Sequence, residues 1–374
     1  MLIEIHMLKN FAPTNLNRDD TGSPKSCVFG GVQRGRISSQ CLKRSWRTSA
    51  ILKKEVGSVI GKRTRRLPEL VTEELKKRGV AEKYLPLVER KLTGIANKDG
   101  TENKEGNWTA QVVLYAPEDI QAVAQAVQEQ IASAGNREAF EKVTAKQLEK
   151  AVKGAGTRPI SLDIALFGRM VTSDAFANVE ASMQVAHAIS TNRVVMETDF
   201  FTAMDDLIEG TQEVGSSMMG DIDYNSSCYY IYASLDTEKL AENLKYAENP
   251  TELVKKTVPA LLHTMAYTNP TGKQNTFAGH SLPSAVLVEC KDCPVPVSYA
   301  NAFVQPVYST QETDLIDSSV KRLTEFAEQT DHDFDLPIKK RFLFCAGGKR
   351  KMKNADNCGS FSTLVEGVEA CLAE

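Results

Sequence analysis

Residues 17–54 read NRDDTGSPKSCVFGGVQRGRISSQCLKRSWRTSAILKK, and from Thr21 to Lys54 they hold eight Lys/Arg and no Asp or Glu, in a chain whose formal net charge is -3. Extended to Arg66, the stretch has twelve Lys/Arg against the single acid Glu55, a charge of +11. The remainder carries 33 basic and 47 acidic residues, a charge of -14. A concentrated positive field on an acidic body suits a polyanion partner and discourages indiscriminate binding. A merely solvated helix face would mix the two signs at supporting spacings, and this one does not.

Ser38 and Ser39 are N-cap candidates for a helix over QCLKRSWRTSAILKKEV, in which Leu42, Trp46 and Ala50 form one buried stripe and Lys43 and Arg47 a neighbouring one. Arg34, Arg36, Ser38 and Gln40 then fall in the preceding loop and first turn, where free backbone N–H groups and the helix dipole already favour an anion. Gly30, Gly31 and Gly35 lack the Gly-Lys-Ser/Thr ending that positions a triphosphate, so a polymer backbone fits better than a nucleotide.

The chain's 374 residues, 42% hydrophobic and 25% charged, suit one or two soluble globular domains. No charged leader precedes an apolar run in MLIEIHMLKN. No stretch reaches the roughly 18 apolar residues of a membrane-spanning helix. The expected location is the cytoplasm, with the eight Cys as free thiols.

LIEIHML (2–8) reads as a strand, Leu67 to Lys153 as largely helical around the loop NKDGTENKEGNW, and ISLDIALFGRMV (160–171) and ASMQVAHAIST (181–191) as strands. CYYIYASL, a helix near 237–247, a second ending near Tyr267, and the strand SAVLVEC follow. The order suggests a small α/β sheet with large insertions. From Met196 to Asn225 there are eight acids and no Lys or Arg, with Met196, Phe200, Phe201, Met204, Met218 and Met219 interspersed. Such a segment cannot follow phosphates. It suits apolar contact with bases or with a neighbouring molecule, or else forms a lid over the protein's own core.

NRDD, FGG, R-x-RISSQ-x-LKR-x-x-R, DIALFGRM with a following Thr-Ser, QVAHAIST, DFFTAMDDL, GKQNTFA and VSYANAF occur in this order from residue 4 to about 304. Together they resemble the CasC family, the guide-RNA-binding backbone subunit of the type I-E CRISPR Cascade complex, within the RAMP superfamily. The resemblance implies an α/β (α+β) fold: a modified RNA-recognition, ferredoxin-like palm with an inserted helical fingers module and a thumb hairpin. It divides the chain into palm (1–60), fingers (61–157), palm strands (158–195), thumb (196–225) and the remaining palm with C-terminal helices (226–374). It implies a non-catalytic cytoplasmic ribonucleoprotein of antiviral defense. Copies assemble head to tail as a helical filament along the crRNA, with other Cascade subunits, and present the guide to target DNA.

Carried over position by position, the resemblance implies backbone contacts from Asn17, Arg18, Lys25, Ser38, Gln40, Lys43, Arg44 and Arg47. It places Arg169 and Met170 near the bases, Phe200 and Phe201 on the thumb, and Lys273 and Gln274 in a further RNA-contacting loop. Val32 and Gln33 stand where some relatives are basic, and receive no contact.

The competing reading is an RNA-cutting effector subunit that uses Asp19 or Asp20 as general base or metal ligand. A structural ion pair with Arg18 is the simpler expectation for that pair. No cofactor is expected. Cys290 and Cys293 form one CxxC without a second short-spaced pair. DHDFD (331–335) lacks the glycine and closing Glu of a calcium loop. His187 is expected to be a packed core histidine, and GGKRKMK (347–353) is as well explained by a solvated turn as by nucleic acid.

Overall fold

The computed structural model describes residues 1–374 except 58–59, 98, 104–105, 155, 204–217, 349 and 374. In chain order its strands are β1 (Leu2–Thr14), β2 (Ser26–Phe29), β3 (Val32–Ile37), β4 (Lys62–Thr64), β5 (Val113–Tyr115), β6 (Met183–Val185), β7 (Ala188–Ser190), β8 (Glu197–Ala203), β9 (Met218–Asp236), β10 (Pro283–Lys291), β11 (Ile338–Cys345) and β12 (Asp356–Cys358). The chain forms two compact units. One comprises Met1–Leu52, Gln184–Asp236 and Thr257–Glu374, the other Lys53–Met183 and Thr237–Lys256.

The first unit is built on a sheet ordered β12-β11-β10-β1-β9-β7-β3-β2, with β6 and β8 also paired to β9. β1 lies antiparallel between β9 and β10, and β12 joins β11 in parallel. This is the α/β architecture expected, and the sheet proves to be large and mostly antiparallel. The period of two along β1 sends Ile3, Ile5 and Met7 to one face and Glu4, His6 and Leu8 to the other, and all six are buried.

Three polar residues on an inner face, Glu4, His6 and Glu289, require partners, because an unpaired buried polar group or charge is expensive. Glu4 meets Lys291 and the Tyr232 hydroxyl, and its Oε1 accepts the Val297 N–H at 2.7 Å. Glu289, opposite Glu4 in the register, takes Arg341 at 2.8 Å. His6 Nδ1 pairs with the Tyr230 hydroxyl at 2.8 Å.

Helix α1 (Ser39–Arg47) begins at the N-cap Ser38, whose Oγ accepts the Cys41 N–H at 3.3 Å. Leu42 and Trp46 are buried as the spacing predicts. The expected single helix ends there, because Ser49 caps a second one, α2 (Ala50–Val56), by accepting the Ile51 N–H at 3.1 Å. That restart turns Ala50 outward and buries Leu52 in its place.

In the second unit the helices Leu67–Lys77, Leu85–Leu92, Pro117–Ala134 and Ala145–Gly154 enclose a core containing Leu75, Val88, Val123, Val127 and Leu148. The strand expected over 160–171 is instead a six-residue helix, Leu162–Phe167, ended by Gly168 at φ +79°. Leu162, Asp163, Ile164, Ala165 and Leu166 are all buried. A short helix with no solvated side presents the same apolar run as a buried strand.

The strand expected over 181–191 is two short ones, β6 and β7, interrupted at Ala186–His187. His187 is exposed, which overturns its reading as a core histidine; the buried ring is that of His6. Among the described residues no helix is long and apolar enough to cross a membrane.

Candidate nucleic-acid interface

Backbone bonds draw the first unit's basic segment into one cluster. The Lys25 N–H donates to the Asn17 carbonyl at 2.8 Å, and the Arg36 N–H to the Lys25 carbonyl at 2.8 Å. Asn17 Oδ1 in turn accepts the Ser38 N–H at 2.8 Å. Asn17, Lys25, Arg36 and Ser38, far apart in sequence, thus meet at the start of α1. Gln40 and Arg44 are exposed on that helix, with Lys43 and Arg47 half-buried. Burial lowers the Lys43 pKa. Arg18 is exposed and lines an open cleft with Asn17, Asp19 and Gly272.

A second loop packs beside this cluster. Gly272 lies so close to the Leu16 carbonyl that any side chain there would collide with it. This holds the loop carrying Lys273 and Gln274 against the segment leading into Asn17. Lys273 takes a left-handed conformation, φ +50°, and Gln274 Nε2 donates to the Pro270 carbonyl at 2.7 Å and the Gly279 carbonyl at 3.2 Å. Gln274 therefore braces its own loop. Likewise Ser38 spends its hydroxyl on the cap, and the Asn17 side chain holds Ser38; these residues shape the cluster by hydrogen bonding within it.

Arg34 requires a correction. Its side chain is fully buried, and the guanidinium donates to four carbonyls: Ser190 (2.9 Å), Thr191 (3.0 Å), Phe303 (2.8 Å) and Val304 (3.1 Å). Period two along β3 turns 34 inward, so Arg34 anchors the β2–β3 hairpin and is not a phosphate ligand. The hairpin turn itself is Gly30–Gly31, both at positive φ, as the tight two-residue connection of twisted strands requires.

Arg36, the second arginine of the R-x-R pair, is half-buried and donates from Nε to the Ser26 carbonyl at 3.3 Å. Its Nη1 lies 3.1 Å from His187 Nδ1. Desolvation first, then the charges of Arg36 and Lys25, lower the His187 pKa, which keeps the ring neutral as an acceptor. The sequence reading missed His187 as a member of this cluster because regular alternation was assumed across a strand that breaks beside it.

Asp19 does not pair with Arg18 as expected. Its Oδ1 accepts the Thr21 N–H (3.0 Å), the Thr21 hydroxyl (2.8 Å) and the Ser23 N–H (3.0 Å). The Thr21 bonds lead in holding its carboxyl below the usual range. Asp19 is thereby committed, as a carboxylate, to closing the 19–23 turn.

In the second unit Arg169 is also turned inward. Its Nη1 meets Asp119 Oδ2 at 2.5 Å and its Nε donates to the Ala177 carbonyl at 3.0 Å, which corrects the expectation that this side chain reaches toward bases. Met170 is 93% exposed between two anchored neighbours. Arg169 exchanges backbone bonds with Val179, and the Val171 N–H donates to Asn178 Oδ1 at 2.6 Å. The buried arginine thus serves to project the methionine.

β8 and the first part of β9 form a two-stranded antiparallel ribbon, from Glu197 opposite Tyr224 to Ala203 opposite Met218. Phe200, Met218 and Met219 are exposed, and the half-buried Phe201 ring covers Gly220 across the strands. The rest of the acidic insertion, 204–217 with Met204 and four of the eight acids, lies outside the described residues.

The family model described as CT1975-like protein matches residues 3–367, so the chain belongs to that family of Cas proteins, in keeping with its motifs. Among curated proteins none matches. A solved chain titled CRISPR RNA-guided surveillance complex, pre-nicking, is 25% identical with a TM-score of 0.82, and each chain is covered to 100%. A second, titled CRISPR RNA-guided surveillance complex, is 21% identical with a TM-score of 0.72, covering 99% of this chain and 100% of that one, and shares the fold.

Proposed function

We propose that this member of the CT1975-like family is the crRNA-binding backbone subunit of a Cascade-type surveillance complex, and that it holds the guide without cutting RNA. The single observation that carries this reading is the cluster at the start of α1. Lys25 and Arg36 meet at the N-terminus of α1 beside Arg18, and Lys43, Arg44 and Arg47 continue along the helix, the last two in its final turn, on a body that is otherwise acidic. The 25% identical chain of a solved surveillance complex supports it. Copies then follow one another along the crRNA as a type I-E helical filament in the cytoplasm, with the other Cascade subunits, and base pairing with target DNA reads sequence while the protein reads shape and phosphates. An open head-to-tail repeat makes the length of the assembly follow that of the RNA.

The non-catalytic reading is supported by Asp19, whose carboxylate is stabilised ionised by turn donors, whereas a general base works best with a pKa near the operating pH. The experiment is to purify the chain with its nucleic acid, alongside K43A/R44A/R47A. A uniform RNA of repeat-plus-spacer length is expected, left intact after incubation of the complex with complementary RNA and Mg2+. The variant should lower the log–log salt slope for single-stranded RNA by about 2, at roughly 0.7 per lost phosphate contact. An unchanged slope rejects the cluster, and regularly spaced cleavage products reject the non-catalytic role.

A further inference from the structure

The basic turn near residue 350 is not part of the cluster at α1. It is a fixed structure: Asn357 Oδ1 accepts the Met352 N–H at 2.9 Å, its Nδ2 donates to the Met352 carbonyl at 2.9 Å, and the Lys353 N–H donates to Glu328 Oε1 at 2.8 Å. Met352 is buried beneath, with Lys351 and Lys353 exposed on either side. The bracing sets Arg350 on the wall of an open cleft of about 580 Å³, together with Lys321 and Arg322 from the helix Leu315–Phe334. Three cations face one acid, Glu325, which stands 3.8 Å from Lys321 with both side chains more than half exposed.

The rest of the lining is as informative. Tyr308 is 61% exposed at the rim, and Thr310, Thr313 and Ser318 supply hydroxyls linked at 2.8 and 3.0 Å. Arginine and lysine with Ser/Thr hydroxyls are the donor set that meets phosphate and sugar oxygens. An exposed aromatic among cations adds a surface on which a base of any identity stacks. A compact small-ligand pocket would be enclosed; this cleft is open, and its lining carries three cations and three hydroxyls beside Pro306, Val307 and Tyr308, as the path of a polymer does.

We infer that the cleft between the 350–353 turn and the helix Leu315–Phe334 is a second binding site for single-stranded nucleic acid, contacting its sugar-phosphate backbone through Lys321, Arg322 and Arg350 and stacking a base on Tyr308. The site is separate from the cluster assigned above and stands or falls independently of it. Its chemistry accepts DNA or RNA.

The test uses fluorescent 30-mers of oligo(dT) and oligo(U), titrated over a range of salt into the full chain in the K43A/R44A/R47A background, with K321Q/R322Q/R350Q or Y308A added. The cleft triple variant should lower the log–log salt slope by about 2. Tyr308→Ala should weaken binding about tenfold at an unchanged slope, with Tyr308→Phe restoring it. A deficit with oligo(dT) alone identifies a DNA path, one with oligo(U) alone an RNA path, and one with both a backbone site indifferent to the sugar. Unchanged slope and affinity with both oligomers overturn the inference, as does a change confined to oligomeric state, which would make the cleft a protein contact. The guide-RNA reading is tested by the α1 variant alone, so the two can fail separately.

Discussion

Asn17 Oδ1 accepts the Ser38 N–H at 2.8 Å, tying a surface loop to the N-cap of a helix twenty-one residues further on. The same Asn17 accepts the Lys25 N–H on its carbonyl, so one residue sets where the loop, the strand and the helix meet. Asn17→Ala should cost about 1 to 2 kcal/mol of unfolding free energy in urea, the usual loss for a polar group left without its partner. RNA affinity should fall at a constant salt slope, since no cation is removed. A variant as stable as the parent would show that this bond does not organise the cluster.

Arg34 and Arg44 belong to the same basic run, yet they should behave as opposites. Arg34→Met leaves four carbonyls without their common donor and is expected to destabilise the chain by about 3 kcal/mol or more. The protein that remains folded should keep its salt slope. Arg44→Ala, at an exposed position, should leave stability within about 0.5 kcal/mol and lower the slope by about 0.7. Chemical denaturation and salt titration of the two variants separate the roles.

His6 makes stability depend on pH. Burial is the main cause that lowers its pKa from 6.5 to about 4, opposed by Glu289 and aided by Lys291 and Arg341. The Tyr230 and Tyr299 rings lie against it. Because the folded value lies below the unfolded one, the folded state binds the proton less readily. The His6 contribution is complete above about pH 6.5 and is lost as pH falls from there toward 4, by at most about 3 kcal/mol. His6→Gln removes this titration while keeping a group able to bond Tyr230. The stability advantage of the parent over the variant should therefore shrink between pH 7 and pH 4. A difference that stays constant over that range would show that His6 is not the titrating group.

Composition and period carried much of this fold, and the failures have local causes. Charge sign alone located the α1 cluster, and Leu42 and Trp46 at i, i+4 gave its buried face. A charge count, however, cannot tell an arginine that points out from one that points in. Arg34 is directed inward by the alternation of its strand and by carbonyl partners, and Arg169, outside any strand, by the Asp119 carboxylate and the Ala177 carbonyl, partners that only the tertiary structure supplies. The helix Leu162–Phe167 reads as a strand in sequence because neither of its sides is solvated. His187 looks inward only if β6 and β7 are one continuous strand, and the break between them turns it out. The Asp19 turn was present in the sequence as an Asp followed by Thr and Ser at i+2 and i+4, the pattern of a side chain capping its own turn.

Phe200 and Phe201 of the ribbon offer a last test, because adjacent residues of a strand face opposite ways. Phe201 covers Gly220, which has no side chain to pair with, and an aromatic laid over a cross-strand glycine shields the backbone bonds there. Phe201→Ala should therefore loosen the ribbon itself, seen as faster amide exchange at residues 198–202 and 219–223. Phe200 is 62% exposed opposite Asp221 and has no such duty. Phe200→Ala should leave exchange unchanged and cost RNA binding roughly 1 to 3 kcal/mol for each base it stacks on. The salt slope should hold in both, since the ribbon supplies no cation. In the double variant the periodic pattern of chemically reactive nucleotides on bound RNA should blur as well. If Phe200→Ala binds RNA with the parent's affinity and the double variant keeps a sharp footprint, the pair has no contact with the guide, and the acidic ribbon serves some contact other than with bases.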